Sequence, residues 1–167
     1  MQLTSFTDYS LRVLVYAAVH REGRCQTADV AGMFGISRHH VVKVVNELAH
    51  LGYLETVRGR DGGFSLALPP DQVRLGDVVR RTEGSTAIVE CFDPATNTCP
   101  LLPACGLKDA LGEAFAAFLG VLDRRTLADL MAEPRWIARM KALPARPPRP
   151  RRDARVRRRV GPSRASA

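Results

Sequence analysis

The chain has 167 residues, 46% of them hydrophobic, with 25 Lys and Arg against 17 Asp and Glu, for a formal net charge of +8. That apolar content supports one ordinary globular core of about 140 residues. No apolar run approaches the ~20 residues of a membrane span and the N-terminus does not read as a signal peptide, so a cytoplasmic location with no membrane partner is expected. The charge is concentrated: residues 144–167 hold nine arginines (Arg146, Arg149, Arg151, Arg152, Arg155, Arg157, Arg158, Arg159, Arg164) and one acid, Asp153, which leaves 16 basic and 16 acidic residues in 1–143. Pro and Arg dominate that stretch, which predicts a disordered tail. It reads either as a solvated appendage or as a non-specific attractant for DNA phosphates through counterion release.

From the start of the chain, Phe6 to His20 places Leu11, Leu14, Val15, Ala18 and Val19 at helical spacing, which predicts a first helix with Thr7 as its N-cap. Thr27 to Gly35 predicts a short second helix, capped at Thr27 and stopped by Gly35, and Ser37 caps a third helix over Arg38–Leu51. In that third helix Val41, Val44, Val45 and Leu48 sit at i, i+3, i+4 and i+7 as a core stripe, leaving Arg38, His39, His40, Lys43 and Asn46 to face outward. Tyr53–Val57 and Phe64–Leu68 then read as two strands around a Gly-rich basic tip, residues 58–63. Helix, helix, recognition helix and hairpin in this order predict a winged helix-turn-helix over residues 1–70. Its expected DNA contacts are Thr27, Ser37, Arg38, His39, His40, Lys43 and Asn46, with Arg58 and Arg60 on phosphates or a narrow minor groove. Gly62 and Gly63 read as turn residues and not as a phosphate loop, because no Lys-Ser/Thr follows.

Residues 71–106 read as a linker helix, Leu75–Thr82, and a Pro- and Asn-rich loop carrying Cys91, Cys99 and Cys105. In a reducing compartment three clustered thiols are more often a metal or redox site than a disulfide. Soft thiolates suit an iron–sulfur cluster, zinc or copper(I), and three of them leave one position open. No histidine of the loop can fill it, because His20, His39, His40 and His50 all precede residue 51. A zinc-stabilised structural site and a metal-free cysteine switch stand as alternatives. Cys25, between two helices, reads as a free structural thiol. A long helix opens at Gly106; Leu107, Leu111, Ala114, Phe118 and Val121 follow a 4-3-4-3 spacing that Phe115, Leu119 and Leu122 widen. Residues 107–143 are therefore expected to form a dimerisation helix and a C-terminal helix, completing a mainly α fold with a small β-hairpin wing. Nothing resembles a nucleophile–base pair, a P-loop or a dinucleotide fingerprint, so no enzyme is expected.

The opening stretch 1–9, the segment Ser37–Leu48 (SRHHVVKVVNEL), the wing Val57–Phe64 (VRGRDGGF), the three cysteines and Asp123–Leu130 together resemble the iron–sulfur winged-helix repressors, most of all their nitric-oxide-sensing branch. The resemblance covers nearly all of residues 1–133 and leaves out the Arg-rich tail. It implies a homodimer with one [2Fe-2S] or [4Fe-4S] cluster per subunit, held by Cys91, Cys99 and Cys105. Such a dimer binds double-stranded operator DNA while the cluster is intact and lets go once nitric oxide reacts with the iron; iron or general redox status is the neighbouring signal in the same family. The histidine that other members place three residues after the last cysteine is absent, Lys108 standing there, and the resemblance assigns the fourth ligand to Asp8 of the first helix.

Overall fold

The computed structural model describes residues 2–59, 62–85, 87–102 and 105–143, so Arg60 at the wing tip and the Arg-rich stretch 144–167 lie outside the described residues. Among those residues the elements are α1 (Ser5–Val19), α2 (Thr27–Phe34), α3 (Arg38–His50), β1 (Leu54–Val57), β2 (Gly63–Leu66), α4 (Leu75–Thr82), α5 (Gly106–Asp123), α6 (Leu127–Leu130) and α7 (Pro134–Lys141). Two 3-10 turns, Pro70–Gln72 and Glu90–Phe92, lie between them. The architecture is the expected one, mainly helical with one antiparallel hairpin. No described helix is long and apolar enough to cross a membrane.

The central element is α1, which packs against α3, α4, β2, α6 and α7. Neighbours on so many sides bury Val13, Leu14, Tyr16, Ala17, Ala18 and Val19, a surface wider than the single stripe read from spacing, while Leu11 and Val15 stay half-buried. Its N-cap is Thr4 and not Thr7: the Thr4 hydroxyl accepts the Thr7 N–H at 3.2 Å. Thr7 is fully buried in the first turn, its Oγ1 3.1 Å from Thr4 Oγ1 and 3.0 Å from Thr82 Oγ1, so its hydroxyl ties α1 to α4. Thr4 reinforces the joint, its backbone N–H donating to Glu83 Oε1 at 2.8 Å.

Thr27 is likewise the first residue of α2 and not its cap. The cap position belongs to Gln26, which makes no capping hydrogen bond and instead donates through its side-chain amide to the Gly62 carbonyl. Gly35 ends α2 in the left-handed conformation, at φ 63°. Ser37 caps α3 as expected, accepting the His40 N–H, and Val41, Val44, Val45 and Leu48 are all buried.

Strands β1 and β2 pair from Leu54↔Leu66 to Val57↔Gly63. A further rung lies outside the hairpin: the Cys25 N–H donates to Phe64 O at 2.8 Å and the Phe64 N–H to Cys25 O at 3.0 Å. Gly63 permits that approach, since its φ is 146° and a Cβ there would lie 2.6 Å from the Cys25 carbonyl oxygen. The core gathers Val13, Leu14, Val30, Val41, Val44, Leu48, Phe64, Val73, Val78 and Leu127. It holds no residue of α5, which packs on α4 and buries none of its own side chains.

One ion pair anchors α5. Asp123 at its C-terminal end receives both guanidinium arms of Arg80 on α4, each at 2.6 Å, and its carbonyl accepts from Arg74 at 3.0 Å. Gly76 leaves room for the carboxylate: a Cβ there would stand 1.9 Å from Asp123 Oδ1. Beyond α5 the chain returns to bridge Arg74 with Thr126, then turns into α6 through a capping box between Thr126 and Asp129.

Candidate nucleic-acid interface and metal centre

The outward face of α3 is the first candidate site. Helical period puts His39, Val42, Lys43, Asn46 and Glu47 on one side, opposite the buried stripe, and together they line a shallow groove open to solvent. Arg38, His39 and His40 are exposed in the first turn, which carries no acid to oppose a phosphate at the positive end of the helix dipole. His40 leans toward α1, its ring 6.1 Å from that of Tyr9. Ser37 is consumed as the cap, and Thr27 is half-buried at the start of α2. Arg58 is exposed where β1 leaves the sheet, on the wing as expected; Arg60 cannot be placed, being outside the described residues.

The loop between α4 and α5 is the second site. Cys91 sits in the turn Glu90–Phe92, Cys99 follows eight residues later, and Cys105 is the residue from which α5 starts; all three are half-buried free thiols. Glu90 closes the segment between the first two, accepting the Thr98 N–H at 2.6 Å and the Thr98 hydroxyl at 2.7 Å. Those bonds hold its carboxyl below the usual glutamate range. Within the closed segment Asp93 accepts from Ala95 and Thr96, and Asn97 from the Cys99 N–H. Cys91 and Cys99 thus each follow one half of a hydrogen-bonded neck.

Neither Glu90 nor Thr98 was picked out by the sequence reading, nor were Val42 and Glu47 on α3 or Arg80 on α4. The available signal at the loop was a polar residue directly preceding each of the first two cysteines. At α3 it was the completion of the i, i+3, i+4 pattern opposite the core stripe.

Asp8 lies in the first turn of α1 and pairs with Arg12 of its own helix, at 2.8 and 2.9 Å. Among the described residues no three His, Cys, Asp or Glu side chains are drawn into one metal-holding group within the single chain. Cys25 is apart from the loop: it is buried under the wing, and burial first, then the nearby Asp29 carboxylate, push its thiol up to about 11. That shift favours the protonated thiol at ordinary pH, and Cys25 is a free, buried cysteine.

The model of the Rrf2 family, described as iron-dependent transcriptional regulators, matches residues 3–133. The HTH-type transcriptional regulator NsrR of Bacillus subtilis strain 168 is 48% identical over 132 residues, covering 78% of this chain and 90% of its own length. NsrR of Geobacillus kaustophilus is 50% identical over 134 residues, covering 80% and 91%. Among solved structures, CymR, the global cysteine regulator of B. subtilis, is similar with a TM-score of 0.64 at 26% identity, over 78% of this chain and 95% of that one. IscR of T. potens has the same fold, with a TM-score of 0.64 at 24% identity, over 81% and 90%. These relatives are regulators and not enzymes, and the helix order, the hairpin and the length matched agree: the chain belongs to the Rrf2 family of DNA-binding transcriptional regulators.

Proposed function

We propose that this chain is a nitric-oxide-sensitive repressor of the cytoplasm, binding operator DNA as a homodimer while an iron–sulfur cluster is held by Cys91, Cys99, Cys105 and Asp8. The observation that carries the reading is one of placement. Three free, half-buried thiols lie on the segment that joins the DNA-reading body to an α5 with no buried side chain of its own. Three soft sulfur donors in an irregular, hydrogen-bonded loop fit an iron–sulfur cluster in donor chemistry. When bound, such a cluster supplies iron that nitric oxide can reach, more readily where an oxygen ligand replaces a fourth thiolate.

The work of the protein is done by its own residues. Glu90 and Thr98 hold the neck that presents Cys91 and Cys99, and Cys105 ties the site to the positive end of α5, where negative charge is favoured. Asp8 can be given up by Arg12 at little cost, because a half-exposed i,i+4 pair on one helix contributes only about 0.3–0.5 kcal/mol. With Asp8 engaged, α1 is linked to the loop, and α1 is the helix on which α3 packs. The apolar row on α5 meets the same row of a second subunit, so the two α3 helices stand at a spacing that fits two half-sites. Loss of the four side-chain links leaves each α3 and wing with phosphate affinity but without fixed spacing, and specific binding falls far more than non-specific binding.

Footprinting with anaerobically isolated, metal-free and nitric-oxide-treated protein tests the reading: protection of a promoter fragment is expected from the first alone. Equal affinity in all three states overturns it, and a colourless protein with one zinc per chain replaces it with a static structural site. Mössbauer spectra or native mass spectrometry of the same sample give metal and nuclearity. Asp8→Ala, with visible absorption followed during nitric oxide addition, is expected to change both spectrum and response, and no change removes Asp8 from the site.

A further inference from the structure

We propose that Val42 reads the methyl group of a thymine in the major groove of the operator. The proposal rests on the reading of α3 as the helix that enters that groove and adds a sequence determinant to it.

Val42 belongs neither to the core nor to the partly buried apolar residues packed against it. It is 39% exposed, whereas Val41, Val44, Val45 and Leu48, the apolar residues that do pack, are at 0%, 1%, 4% and 0%. A β-branched side chain at an exposed helix position gains nothing from packing and is a weaker helix former than Ala, Leu or Lys. Its neighbours in the groove are polar, and three of them match base edges. His39 lies three residues before it, Asn46 four residues after, and Lys43 and Glu47 complete the same groove. An asparagine amide suits the N6/N7 edge of adenine, a carboxylate accepts from the cytosine N4 amino group, and a lysine donates to guanine or to phosphate.

Glu47 decides which part of the duplex this groove faces. A carboxylate pressed on the phosphate backbone is repelled by it, so the row His39–Val42–Lys43–Asn46–Glu47 belongs over base edges, not along the strand. The one apolar group that base edges present in the major groove is the C5 methyl of thymine. An exposed valine inside a row of base-reading side chains is therefore matched to that methyl.

The test uses the full chain, isolated anaerobically. A preferred duplex is selected from a randomised pool and resynthesised with deoxyuridine replacing thymine one position at a time, which deletes one methyl and nothing else. One thymine in each half-site is expected to respond, with affinity falling about four-fold per altered half-site, the ~0.8 kcal/mol of one buried methyl-sized group. Val42→Ala, at an exposed position that leaves the melting curve in place, is expected to abolish the response there and to bind the thymine duplex as weakly as the parent binds the uracil duplex. No responsive thymine, or a responsive thymine that stays responsive in Val42→Ala, overturns the assignment; a valine exposed for a protein partner gives the first of these results. Failure of the underlying reading looks different. If Lys43→Ala binds duplex at full strength, or the pool yields no preferred sequence, α3 is not the reading element and the proposal falls with it.

Discussion

The two parts of this chain solve the problem of burial differently. From Ser5 to Thr82 each long helix places several side chains in a common core, and even the hairpin contributes the fully buried Phe64. From Gly106 to Asp123 an 18-residue helix with Leu107, Leu111, Phe115, Phe118, Leu119, Val121 and Leu122 buries none of them, and Leu107 and Val121 remain 65% and 51% exposed. The other five are only half-buried, and an apolar surface left partly open in the single chain is expected to be an association site. The first part is complete as one copy; the second leaves its apolar row without full cover, and the cysteine loop joins the two. A joint between a closed unit and an open one is where a ligand that binds one state better can bias geometry without unfolding anything.

Breaking the joint is expected to have the largest effect. Cys99→Ala should abolish the visible absorption and iron of anaerobically isolated protein and reduce operator affinity by orders of magnitude, read by metal analysis and gel shift, while Cys25→Ala keeps both. Next come substitutions within each part. Phe64→Ala empties a fully buried aromatic site and should cost about 3–5 kcal/mol of stability, seen as a large fall in melting temperature. Leu107→Ala, by contrast, should leave the melt of the amino-terminal body in place and weaken self-association in sedimentation equilibrium. Equal effects of the two on folding would erase the distinction drawn here.

A smaller effect is expected at the clamp between the parts. The Arg80 guanidinium first, then the positive charges of Arg74 and Arg124, hold the Asp123 carboxyl below its ordinary range. A carboxylate depressed in the folded state stabilises it above the unfolded value of about 3.9, and that contribution disappears as pH falls through the folded value. Asp123→Asn should therefore differ from the parent in melting temperature at neutral pH, and the two curves should converge only in acid below the usual carboxylate range. The smallest expected effect is chemical: Cys25, with its thiol pushed up to about 11, should resist alkylation at pH 8 in metal-free protein while Cys91, Cys99 and Cys105 react, as counted by mass spectrometry.

What could be read from the chain beforehand follows the range of the interaction involved. The α3 stripe was legible because period and the Ser37 cap agree within a few residues, and the span Leu75–Thr82 and the opening of α5 at Gly106 were legible from local apolar spacing, without a capping side chain at either. The caps of α1 and α2 were not, since Thr4 and Thr7 are both plausible by type and only the point where the backbone turns helical separates them; at α2 the threonine lies one residue inside. The rung between Cys25 and Phe64 carries no periodicity, being one residue long and nearly forty residues apart in the chain. The Glu90–Thr98 neck and the Arg80–Asp123 pair are side-chain contacts that no local pattern announces. The three cysteines were legible as members of one irregular loop by residue type and spacing, and all three lie there as half-buried free thiols. The Asp8–Arg12 pair is legible in the i,i+4 spacing of the two residues.

The strand rung at Cys25 has a mechanical implication. Because the segment before α2 is woven into the hairpin, and Gln26 laces the same segment to Gly62, the arm and the helices beside it form one stiff casting. A signal reaching it is expected to swing the casting as a whole before it flexes the arm against α3. On the proposed dimer, such a regulator is expected to be tuned by the gap between its two prongs, like a plug, with the contour of each prong left unchanged.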